Sequence, residues 1–267
     1  MNRKLSFTAY LMALLLLGAS MIGSANAETT QEKGLRIASE IKAKNKGWGN
    51  SEGELQMTLR TRKGAEILRK MRIKSFEVDG DGDKSLTIFD TPADVKGTAF
   101  LTHSHTSKND DQWIYLPALK RVKRIASRNK SGPFLGSEFS FEDLSSFELE
   151  KYQFNFLMEE PFNDQNTFVI EMVPSDKNSG YSKVHGWVDQ DHYRWQKLVF
   201  YDRRGTLLKT LSFVDYQLYE DKFWRPMVQK MVNHKNGKST DINVKSLEFG
   251  VGLQDADFDD NKLKRAR

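Results

Sequence analysis

The chain has no cysteine among its 267 residues. Disulfides and thiolate metal sites are therefore excluded, and stability has to come from ordinary burial. Charge of one sign is scarce as well: the net charge of +5 is too small an excess to mark a nucleic-acid binder. Internal repeats, low-complexity linkers and βαβ alternation are missing, which leaves antiparallel connections to dominate. Nucleophilic chemistry has little to work with. There is no G-x-S-x-G elbow, and the adjacent carboxylates Glu159-Glu160 and Asp259-Asp260 would point to opposite faces of a strand. A carboxylate pair assembled through the fold stays open, but no spacing indicates an enzyme class or calls for a cofactor.

What is present begins with an export signal. Arg3 and Lys4 give a charged start, Tyr10 to Gly18 an apolar core, and Ala25-Asn26-Ala27 an A-x-A site. This predicts a cleaved signal over residues 1–27, a periplasmic location, and one mature domain over 28–267. No cysteine follows the apolar core, so the chain is not itself a lipoprotein.

One helix is expected at the start of that domain. Thr29 and Glu32 have capping-box spacing, Leu35, Ala38 and Ile41 recur three apart, and Gly47 sits at a helix stop. After it the apolar period falls to two. Leu55, Met57 and Leu59 alternate with polar residues, as do Met71 and Ile73, and ten further segments between Ser85 and Phe249 behave alike. Asn236-Gly237, Asp202 to Gly205 and Asp79 to Asp83 read as hairpin turns. The fold class is α+β, dominated by roughly a dozen antiparallel strands. Tyr152, Phe154, Phe156 and Met158 share one strand face, and a face that large needs a cover. A weaker helix over Phe141 to Phe147 is the other candidate to supply it.

Metal signals are incomplete. Asp79, Asp81, Asp83 and Asp90 fall at EF-hand positions 1, 3, 5 and 12, but Lys84 replaces the required glycine and position 12 wants Glu. A solvated turn is the simpler reading. His103 and His105 form an H-x-H pair that would share a strand face, with no third ligand visible.

The stretch WIYLPALKRVKRI from Trp113, followed by GPFLGSEFSFEDL from Gly132, resembles the pattern of the LolA-like family of outer-membrane lipoprotein-sorting proteins. The resemblance extends more weakly from the Ala-x-x-Ile helix near residue 38 to Gly252-Leu253-x-Asp255. It implies a strongly curved, half-open antiparallel sheet of about eleven strands, an incomplete barrel covered by helices around an apolar cavity. It further implies a periplasmic carrier of lipoprotein or lipid-like cargo, associated with an inner-membrane RND-type exporter. On this reading Phe134, Leu135, Phe139, Phe141 and Leu144 form a lid or mouth, and Phe154, Phe156 and Met158 an inner wall. Plain core packing is their alternative role. Arg121, Lys123 and Arg124 would face headgroups or a partner, or simply solvate an edge strand. A monomer is expected. A cargo-free adaptor, which would fill its own core, and a secreted hydrolase of lipid or glycan are the competing functions.

Overall fold

The computed structural model describes residues 27–266, so the expected signal, apart from Ala27, lies outside the described residues. The predicted helix is α1 (Thr30–Lys44). Its capping box forms as spaced: Thr29 Oγ accepts from the Glu32 N–H, and the Glu32 carboxylate accepts from the Thr29 N–H at 2.8 Å. The buried stripe is Gly34, Ile37, Ala38 and Ile41. Leu35, expected on that stripe, is 48 % exposed, because Gly34 and not Leu35 meets the sheet. A Cβ at Gly34 would stand 2.8 Å from the backbone of Asn155 and Phe156, so glycine lets the helix rest directly on a strand.

Thirteen strands follow. They are β1 (Asn50–Arg60), β2 (Glu66–Phe76), β3 (Lys84–Thr91), β4 (Ala99–His103), β5 (Asp111–Leu116), β6 (Arg121–Arg124), β7 (Tyr152–Phe162), β8 (Gln165–Pro174), β9 (Tyr181–Asp189), β10 (Trp195–Asp202), β11 (Leu207–Tyr219), β12 (Phe223–Asn233) and β13 (Ser239–Phe249). All join one antiparallel sheet in the order β6-β5-β4-β3-β2-β1-β13-β12-β11-β10-β9-β8-β7. Every neighbour is a sequence neighbour except β1 and β13, whose pairing joins the two halves of the chain. The edges β6 and β7 do not pair with each other, so the barrel stays open.

The chain leaves edge β6 and reappears at edge β7 after crossing one face of the sheet through residues 125–151. This crossing shows how strongly the sheet curls. Nine strand-to-strand steps separate β5 from β9, and at about 4.8 Å per step a flat sheet would hold them about 43 Å apart. Yet the Phe141 carbonyl accepts from Gln112 of β5 at 2.9 Å, while the hydroxyl of the adjacent Ser140 lies 3.0 Å from that of Tyr181 on β9. The crossing therefore runs inside the curl and plugs it. Its expected helix shortens to a single 3₁₀ turn, Phe141–Leu144. Among the described residues the cover is α1, this segment and other short 3₁₀ turns, rather than several helices.

The main core lies on the inner face, where Met57, Met71, Phe89, Phe100, Ile170 and Met231 meet Ile37 of α1 and Phe134 of the crossing. The alternate residues of β3–β5 point outward. There Leu86, Ile88, Ala99 and Leu101 are covered by Phe258 and Leu263 of the C-terminal 3₁₀ turns. Among the described residues no helix is long and apolar enough to cross a membrane.

Candidate functional site

The crossing segment packs as core over most of its length. Phe134 stands 4.9 Å from Phe100, 5.9 Å from Phe89 and 5.8 Å from Phe141, ring centre to ring centre. Leu135 adopts positive φ, and its carbonyl accepts from buried Arg69 at 2.8 Å. Phe139 is buried and Leu144 packs partly buried against the core. Charged groups pin the same segment. Asp143, 3 % exposed, meets Lys209, 4 % exposed, at 2.5 Å and accepts from Tyr181 Oη at 2.6 Å. Burial pushes the Glu142 carboxyl above its ordinary range, although the Gly180 N–H and Ser179 hydroxyl donate to it.

Phe154 is buried against Phe147, while Phe156 lies half-buried under the Lys33 ammonium, 3.7 Å from its ring centre. The shared face ends there. A bulge between Phe156 and Met158 breaks the alternation and turns Met158 outward, 51 % exposed. Arg121, Lys123 and Arg124 are exposed on edge strand β6, and Arg124 pairs with Asp111.

A cavity of about 910 Å³ opens elsewhere. It lies between the C-terminal half of α1, the end of the crossing at Ser146 and Phe147, the β9–β10 turn, and strands β11 and β12. None of the eight residues expected to face cargo lines it. Phe139 borders a separate cavity of about 420 Å³, with Glu138, Tyr181 and Lys209 among its walls.

Aromatic rings form much of the larger cavity's wall: Trp48, Phe147, Tyr193, Trp195, Phe213, Tyr216 and Trp224. Trp195 sits edge-on to Phe147 at 5.5 Å. It lies over Gly186 of β9, where a Cβ would come 2.3 Å from the indole, so this ring needs glycine beneath it. Tyr216 donates from its hydroxyl to the Trp195 carbonyl at 2.5 Å. Arg194 stacks on Tyr216 at 4.9 Å and Trp224 at 4.6 Å, and donates to Asp189 at 2.8 Å. Asp189 also accepts from the His192 and Arg194 N–H groups, which fixes the β9–β10 turn.

Three further polar groups shape the cavity. Lys42 of α1 reaches Glu148, 1 % exposed, at 2.8 Å, and Ser146 donates to the same carboxylate at 2.6 Å. Asp83 joins the wall through the Ser146 hydroxyl, which accepts from its backbone N–H at 3.3 Å. Burial raises the Asp83 carboxyl from 3.8 to about 6, against the pull of Lys42 and with the push of Glu148. Burial likewise lowers Arg225 to about 10.

The aspartates of the calcium-like motif thus separate, with Asp90 paired to Arg72 at 2.8 Å. Asp79 meets Lys46 at 3.2 Å, Asp81 accepts from the Thr106 N–H at 2.8 Å, and Asp83 faces the cavity. The histidine pair separates too. His103 lies 2.7 Å from the Phe258 carbonyl on the outer face, while His105 bridges Asp81 at 2.7 Å and Asp111 at 3.1 Å.

A family model described as "Uncharacterized protein" matches residues 81–265. Among curated proteins none matches. A Vibrio parahaemolyticus domain that carries the name of an outer membrane lipoprotein-sorting protein is 60 % identical, with a TM-score of 0.87, over 88 % of this chain and 100 % of its own. A Desulfovibrio piger protein of the DUF1329 family is 28 % identical, with a TM-score of 0.83, over 88 % of this chain and 99 % of its own. A LolA superfamily protein from Nitrosomonas europaea, 22 % identical over 88 % of this chain and 99 % of its own, shares the fold with a TM-score of 0.69. The open antiparallel sheet and plugged inner face are the fold of the LolA superfamily protein, and at 60 % identity the chain belongs to the family of the Vibrio outer membrane lipoprotein-sorting domain.

Proposed function

We propose that this protein is a non-enzymatic periplasmic carrier that holds the acyl chains of a lipoprotein or lipid-like cargo and passes it on, working with an inner-membrane RND-type exporter. The observation that carries the reading is the aromatic-walled cavity of about 910 Å³. A protein that only docks on a partner has no use for such a space, whereas small-molecule sites typically enclose about 300–1,000 Å³. The energetics are of the right size. Each buried CH₂ contributes about 0.8 kcal/mol, so a chain of sixteen carbons would gain about 12 kcal/mol against association costs of about 4–15 kcal/mol. Capture near micromolar affinity with reversible release is the balance a shuttle needs.

The walls that serve this purpose are those of the cavity, while Phe134 and Phe139 support the plug that bounds it. On this reading the exposed Arg121, Lys123 and Arg124 of edge β6 would meet anionic headgroups or the exporter. Native mass spectrometry after gentle purification, with titration of a fluorescent fatty acid, tests the proposal. Bound lipid and saturable uptake are expected, and the absence of both would refute it.

A further inference from the structure

The cations around the cavity are not equally provided for. Lys42 is matched by Glu148, and Arg194 by Asp189. Arg225, on β12, has no such partner. Its guanidinium rests 5.6 Å from the Phe223 ring and 5.3 Å from Phe249, two rings stacked 5.9 Å apart. One N–H donates to the Trp224 carbonyl at 3.1 Å. Among the described residues no carboxylate comes within ion-pair distance of it, and the acids that act on it, Asp83 and Glu77, do so at longer range. Glu77 already accepts from the Gly47 and Gly49 N–H groups at 2.7 Å each.

A guanidinium withdrawn from water without a counter-ion is costly, and the depressed basicity of Arg225 expresses that cost. Its remaining donors form a planar fork suited to a carboxylate or phosphate. Trp195, Phe213 and Trp224 line the same cavity. The juxtaposition is one unmatched cation with an aromatic trough.

We propose that the cavity takes an anionic single-chain amphiphile, with its carboxylate or phosphate head on Arg225 and its alkyl tail against Trp195, Phe213 and Trp224. This rests on the carrier reading and adds to it that the charge of the head, and not chain length alone, selects the cargo.

The test compares cis-parinarate with its methyl ester by fluorescence titration at pH 8, on the full mature chain and on Arg225→Gln and Arg225→Lys. The wild type should bind the carboxylate about tenfold or more tightly than the ester, the range of a charge-assisted hydrogen bond. Arg225→Gln should erase that preference, while Arg225→Lys should retain part of it, which shows that charge and not folding is being read. Equal affinities in the wild type, or a preference that survives in Arg225→Gln, would overturn the assignment and leave the carrier reading standing. Failure of both probes to bind would overturn the two together. Displacement of parinarate by oleate alone assigns the head as carboxylate, and stronger displacement by lysophosphatidate assigns it as phosphate.

Discussion

Replacing Asp83 with Asn tests the electrostatics of the cavity wall. In the folded protein burial keeps this carboxyl protonated up to about pH 6, whereas its ordinary value is 3.8. Below pH 3.8 both folded and unfolded chains hold the proton, and the residue is neutral to stability. Between 3.8 and about 6 the unfolded chain releases a proton that the folded one keeps, so stability falls as pH rises. Each pH unit in that window costs about 1.4 kcal/mol, or about 3 kcal/mol once the pH is well above 6. Asn cannot ionise and retains an amide oxygen that accepts hydrogen bonds. Asp83→Asn should therefore be more stable than the wild type by about 2–3 kcal/mol at pH 7.5, with the difference shrinking to about 0.5 kcal/mol at pH 4. Urea unfolding followed by tryptophan fluorescence at the two pH values measures this directly. A difference that is the same at both, or a variant less stable at pH 7.5, would refute the reasoning.

Three other outcomes follow from the packing. Phe134→Ala should lower unfolding free energy by about 3–5 kcal/mol, because three aromatic neighbours lose their partner, and should leave fatty-acid affinity unchanged; normal stability with abolished uptake would instead make this segment a lid. Binding of saturated fatty acids should strengthen roughly tenfold for every two carbons added until the cavity is filled, a gradient of about 0.8 kcal/mol per CH₂; calorimetry showing no dependence on length would place the chains outside the cavity. Gly186→Ala should displace Trp195 and cost about 1–3 kcal/mol in stability, with weaker uptake and an altered tryptophan spectrum; an unchanged spectrum would contradict the contact.

Much of the fold was legible because it follows from local chemistry. The capping box at Thr29 and Glu32 formed, and the period-two segments became strands. The failures are equally physical. Leu35 has helical spacing that fits the buried stripe, but a glycine beside it permits a closer approach, and proximity outweighs hydrophobicity at that contact. Met158 follows the alternation of its strand until one inserted residue reverses it. Asp83 looks like any acidic turn residue, since its burial depends on Ser146, far along the chain.

The cavity was the least legible feature, and the topology explains why. Its walls come from α1, the starts and turns of the first strands at Ser51, Ser75 and Asp83, the crossing segment and strands of the second half of the chain, so no window of sequence contains them. Nothing in the local sequence brings Trp195 and Trp224 to one cavity, because alternation tells which residues share a face, not which faces meet. What decides the matter is the passage from edge β6 to edge β7. An open sheet that curls this far has an interior to fill, and a single crossing strap can fill only part of it. Phe134 and Phe139 fill the part beneath the plug, and the open volume begins where the strap reaches Phe147 and turns into β7. The aromatic-rich stretch that identifies the family thus bounds the cavity without lining most of it. The position of the plug sets how much room is left.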